Sequence, residues 1–78
     1  MKEIDIIYKL LPYRSGGNYL MLYKIIKFNS SNNVCLLTQE ELADLMQKSR
    51  QFVSTGLSVL SELGLIKFSY KKIKILGV

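Results

Sequence analysis

The sequence predicts an α+β domain of three to four helices closed by a C-terminal β-hairpin, and three observations predict it. Apolar residues recur with helical spacing in successive stretches before Gly64. Thr38 and Ser49 each stand at the head of such a stretch, where a short hydroxyl side chain caps the free backbone N–H groups of a helix start. After Gly64 the apolar period becomes two, the period of a strand. At 78 residues the chain has room for one domain over 1–78 with a modest core. Its 49% hydrophobic and 22% charged content suits a compact fold and not a disordered one.

In chain order, Ile4, Ile7, Tyr8 and Leu11 share a helical stripe, and Pro12 stops that helix because proline disfavours helical backbone in the preceding residue. A first helix over 3–11 is expected, followed by a turn at Ser15-Gly16-Gly17, where glycine accepts positive φ. Together they make an N-terminal addition over 1–17. Asn18 is placed to cap a second helix over 19–28, with Tyr19, Leu22, Tyr23 and Ile26 along one side. The polar cluster Asn29-Ser30-Ser31-Asn32-Asn33 reads as a loop, and the apolar, partly β-branched run over 34–37 as a brief strand.

Thr38-Gln39-Glu40-Glu41 has the T-x-x-E form of a capping box, in which hydroxyl and carboxylate satisfy each other's backbone N–H groups. The helix it opens has Leu42, Ala43, Leu45 and Met46 as its inner face. Gln47-Lys48 breaks it, Ser49 caps the next helix over 50–63, and Gly64 ends that helix in the left-handed conformation. Residues 38–64 therefore form two helices joined by a short turn. Over 65–76, Ile66 and Phe68 alternate with Lys67 and Ser69, and Ile73 and Ile75 alternate with Lys72 and Lys74. The hairpin turn falls around Tyr70-Lys71-Lys72, without the glycine or Asn-Gly that a tight loop favours.

Composition narrows the function classes. The chain has no histidine and one cysteine, Cys35, so an intramolecular disulfide and the usual zinc spacings are ruled out and no metal site is expected. The commonest general base is missing too, so no catalytic residue, cofactor or small-molecule ligand is expected and the chain reads as a non-enzyme. Cys35, between Val34 and Leu36, reads as a small buried hydrophobe. Glu40, Glu41 and Asp44 are explained by their favourable place at a helix start, and Ser15-Gly16-Gly17 is too short for a phosphate-binding loop. No apolar run is long enough for a bilayer and the first residues lack a secretory pattern, which predicts a cytoplasmic protein without a membrane partner.

Lys and Arg number 11 against 6 acids, for a net charge of +5. Residues 1–38 hold five basic and two acidic side chains, residues 39–64 two and four, and residues 65–78 four and none. The hairpin is the most electropositive part, the sign expected of a partner that carries phosphates.

Two helices joined by a short turn and followed by a basic hairpin fit duplex DNA, because a helix fills the major groove. This is a winged helix-turn-helix, with 38–64 as the helix-turn-helix and 65–76 as the wing. Its second helix turns Val53, Leu57 and Leu60 inward, leaving Gln51, Ser54, Thr55 and Ser58 outside. Arg50 occupies the first turn, where a guanidinium can bond guanine O6 and N7 together. These five are the candidate base-reading residues. Thr38, Lys48, Ser49, Lys67, Lys71, Lys72 and Lys74 are the candidate phosphate contacts, at helix starts and along the wing.

The run Leu37-Thr38-Gln39-Glu40-Glu41-Leu42-Ala43-Asp44-Leu45-Met46, the core Ser49-Arg50-Gln51-Phe52-Val53-Ser54 and the exit Glu62-Leu63-Gly64-Leu65-Ile66 resemble the DNA-binding domain of the catabolite-activator/Fnr (Crp-like) family of bacterial regulators. The resemblance covers about half the chain. It implies that Arg50 stands where the family's guanine-reading arginine does, and Gln51 at its usual glutamate. Thr55 takes the place of a frequent second arginine, and Gln47 that of a turn glycine. These departures predict a different DNA sequence, and the family's cyclic-nucleotide domain is missing. The layout also looks like small replication and accessory proteins of Gram-positive plasmids, which keeps a role in replication or conjugative transfer beside transcription regulation.

Plainer readings stand alongside. A winged domain can serve protein interaction alone, and the hairpin lysines can simply protect an exposed strand edge. The first helix either packs on the core or pairs with its copy in a homodimer through residues 3–11, which would read a two-fold symmetric site.

Overall fold

A computed structural model describes residues 3–69 and 72–76. Four helices, α1 (Glu3–Leu10), α2 (Gly16–Phe28), α3 (Gln39–Met46) and α4 (Arg50–Glu62), accompany β1 (Ser30–Ser31), β2 (Val34–Cys35), β3 (Ile66–Ser69) and β4 (Lys72–Ile75). The strands form one antiparallel sheet in the order β1-β2-β4-β3. The short β2, lying before α3, therefore pairs with the last strand and ties the hairpin back across the two central helices. Leu22 and Ile26 of α2, Leu42 of α3, Val53, Leu57 and Leu60 of α4, and Leu65, Ile66, Ile73 and Ile75 around the hairpin make one buried core.

Local chemistry sets most boundaries. Thr38 Oγ1 accepts the Glu41 backbone N–H at 3.1 Å while Glu41 Oε1 accepts the Thr38 N–H at 3.0 Å, completing the capping box. Ser49 Oγ accepts the Phe52 N–H at 3.1 Å and starts α4. Gly64, at φ 75°, ends α4. There the Leu65 N–H donates to the Leu60 carbonyl and the Gly64 N–H to that of Ser61, each at 3.0 Å, the paired bonds of a Schellman closure. The same closure ends α3, where the Lys48 N–H reaches Ala43 at 3.0 Å and Gln47 is held left-handed at φ 55°.

Several expectations are corrected. Asn18 does not cap α2; the helix begins at Gly16 with Ser15 before it, and neither Gly16 nor Gly17 has positive φ. Gly16 is needed because a Cβ there would collide with the Leu10 carbonyl oxygen as the chain turns from α1 into α2. The Asn29–Asn33 segment is not a plain loop. Asn32 and Asn33, at φ 53° and 64°, make a two-residue turn with both residues left-handed, which lets Ser30 and Ser31 pair with Cys35 and Val34. Strand β2 stops at Cys35, leaving Leu36 exposed and Leu37 half-buried.

On α1 the docked face is Ile6 and Leu10, while Ile4, Tyr8 and Leu11 of the expected stripe are exposed. The helix carries two apolar faces, and its packing against α2 selects one. Leu45 on α3 is also exposed, because Leu42 and Ala43 already face the core. Lys72 belongs to β4, not to the turn; it pairs with Ser69, and Tyr70 and Lys71 lie outside the described residues.

Candidate nucleic-acid interface

Helix α4 is divided cleanly between faces. Val53, Gly56, Leu57 and Leu60 are buried, and Arg50, Gln51, Ser54, Thr55 and Ser58 are all exposed. The last four recur at steps of three, one and three, so they share one outer face of the helix. Gly56 lets the inner face sit tightly: a Cβ there would lie 2.6 Å from Leu22 Cδ2 and 3.2 Å from Tyr19 Cδ1. The outer face is therefore short-chained, hydrogen-bonding and pressed outward by a close helix crossing, with Arg50 as its one cation.

The start of α4 is braced. Lys48 Nζ lies 5.6 Å from the centre of the Phe52 ring, a cation–π contact. Phe52 in turn packs on Tyr19 at 5.5 Å, and Tyr19 meets Tyr13 edge-on at 6.1 Å. The Thr38 and Ser49 hydroxyl oxygens are occupied by capping, yet each hydroxyl still carries a proton to donate. The starts of α3 and α4 thus carry the Thr38 and Ser49 hydroxyl donors and the Arg50 guanidinium, with Lys48 held beside Phe52 just before α4.

The hairpin sorts its lysines. Its register places Ile66 opposite Ile75 and Phe68 opposite Ile73 on one face, with Lys67 opposite Lys74 and Ser69 opposite Lys72 on the other. Phe68, Ile73, Ser69 and Lys72 line a cleft of about 470 Å³ together with Arg50, Thr38, Gln39 and Glu40. Lys72 thereby shares the cleft with Arg50, whereas Lys67 and Lys74, on the same sheet face as Lys72 but farther from the hairpin turn, do not line it. Lys67 and Lys74 are direct cross-strand neighbours, a like-charge pairing that disfavours the sheet unless an anion or solvent screens it. Lys71 lies outside the described residues.

Gln39, Glu40, Phe68 and Ser69 join this cleft without having been candidates from the sequence. Phe68 was assigned to the inner face by its alternation, and it does face that way, but the strand overhangs the core and the ring remains partly exposed. Among the described residues no group of three or more His, Cys, Asp or Glu side chains could hold a metal ion, and no helix is long and apolar enough to cross a membrane. No family model, curated protein or solved structure matches the chain.

Proposed function

We propose that this protein is a winged helix-turn-helix module that binds double-stranded DNA in a sequence-dependent way and acts as a small transcriptional regulator. Helix α4 enters the major groove, Arg50 reads guanine, and the outer Gln51, Ser54, Thr55 and Ser58 make shorter-range contacts to bases. The hairpin is the wing, and Lys72 at its tip meets the phosphate backbone beside the groove. The observation that carries this reading is the cleft shared by Arg50 and Lys72, which joins the polar helix face to an acid-free hairpin. Glu40 in the same cleft limits non-specific attraction there and favours a partner whose groove edges, and not only its charge, fit the surface.

Selection of bound duplexes from a random pool tests the proposal. Enrichment of a motif containing guanine, with that preference lost for Arg50→Ala at the same salt, is the expected result. Enrichment of no motif would remove sequence reading from the account. A second reading, a protein-interaction domain, is favoured by one observation: Met21, Phe28 and Leu45 are exposed, and Phe28 and Leu45 line a shared groove on the α2 and α3 surface. Absence of DNA binding even at low salt would move the function to that surface.

A further inference from the structure

Helix α1 docks through Ile6 and Leu10, yet its outward face is apolar as well: Ile4, Tyr8 and Leu11 are 48%, 62% and 66% exposed. Steps of four and three put them on one stripe along the helix. Next to Leu11 a groove of about 200 Å³ runs between α1 and the start of α2, bordered by Ile7, Gly17 and Leu20. Asp5 and Lys9 each follow a stripe residue by one position, so they share the same flank of the stripe, with opposite charges near its two ends.

We propose that this stripe is the contact of a two-fold dimer and that its occupant is α1 of a second copy of the chain. In a two-fold, antiparallel pairing the same patch meets itself, so equal flanks adjoin. Ile4 of one copy then faces Leu11 of the other, the two Tyr8 rings meet near the axis, and each Asp5 comes opposite the other copy's Lys9. In a parallel two-fold pairing opposite flanks adjoin and Asp5 does not meet Lys9, so this charge pair forms only in the antiparallel arrangement. Lys9 also fixes where the dimer contact lies, since its Nζ donates to the Leu63 carbonyl at 3.3 Å, beyond the last turn of α4. Arg50 starts that 13-residue helix, about 20 Å away at the helical rise per residue. The pairing therefore leaves the start of α4 uncovered.

A stripe on an eight-residue helix is small beside the roughly 800 Å² per partner of a stable interface. The free dimer is accordingly weak. If α4 reads DNA as proposed above, two half-sites on one duplex raise the effective concentration and complete the pairing; that consequence, unlike the dimer itself, rests on the DNA reading.

Sedimentation equilibrium on the full chain up to millimolar concentration tests the dimer, with circular dichroism to verify the fold of each variant. The wild type is expected to approach twice its 9.0 kDa mass. Tyr8→Glu is expected to remain monomeric, Asp5→Lys to weaken association at least several-fold, and the swap Asp5→Lys with Lys9→Asp to restore it. A wild type that stays monomeric throughout, a Tyr8→Glu variant that dimerises normally, or a swap no better than Asp5→Lys alone would each overturn the proposal. Titration of the same variants with a duplex holding one half-site separates the two readings. A chain that fails to dimerise but binds this duplex leaves DNA binding standing, and a dimer without DNA affinity leaves the dimer standing.

Discussion

Under the proposed function, Arg50 supplies specificity because it is the only cation on the outer face of α4 and its neighbours there have short reach. Two other residues report on the fold itself. Gln47 adopts the left-handed conformation at φ 55°, where a Cβ costs about 1 kcal/mol that glycine avoids. Gln47→Gly is expected to raise stability by up to about 1 kcal/mol in urea denaturation, and a loss of stability would mean that the Gln47 side chain holds the turn by contacts of its own. Tyr23 titrates above the usual 10.0 because burial disfavours its phenolate. The unfolded chain releases that proton first, so the stabilising contribution is complete below about pH 10 and is lost as pH climbs through the higher folded value. Wild type should therefore lose stability between about pH 9 and about pH 11, and Tyr23→Phe, which keeps the ring and removes the proton, should lose less. Equal losses in the two proteins would remove Tyr23 from the alkaline response.

The helices differ in what their glycines do. Gly17 in α2 has nothing within 4 Å of a built Cβ, whereas one at Gly56 in α4 would press on Leu22 and Tyr19. Gly17→Ala should stabilise by about 0.5–1 kcal/mol through helix propensity, and Gly56→Ala should lower the melting temperature despite the same propensity gain. A stabilised Gly56→Ala would show that α2 and α4 can separate at little cost. The starts of α3 and α4 and the end of α4 were legible in the sequence because Thr38, Ser49 and Gly64 act within a few residues of themselves. The docked face of α1 was not, since Ile6 with Leu10 and Ile4 with Tyr8 and Leu11 are both helical patterns and only the approach of α2 chooses between them. The small β1–β2 hairpin was hidden by reading its asparagines as loop polarity and not as left-handed turn formers. Of the candidate site, the outer face of α4 followed from periodicity alone. The selection of Lys72 over Lys67 and Lys74 required the cleft itself, which brings the hairpin beside Arg50 and Thr38 and so joins residues far apart in the chain.

For the molecule as a whole, the sheet order brings the hairpin tip to the start of α4 and leaves α1 at the other end of that helix, anchored near Leu63. DNA binding and self-association are thereby proposed for opposite ends of one scaffold. Under the proposed function the charge distribution is expected to make DNA affinity depend on salt, with Lys72 contributing to every sequence alike. Lys72→Ala is expected to weaken binding to cognate and random duplexes by the same factor, and by more than Lys67→Ala or Lys74→Ala does. A larger effect at Lys67 or Lys74 would place the DNA backbone away from the cleft, farther along the hairpin. The most direct test of the central claim is the ratio of affinities for a selected duplex and a scrambled one, measured by fluorescence anisotropy for wild type and Arg50→Ala at one salt concentration. Loss of one bidentate guanine contact, about 1–3 kcal/mol, should reduce that ratio by roughly 5- to 150-fold while binding to the scrambled duplex changes little. An equal loss on both duplexes would contradict base reading by Arg50.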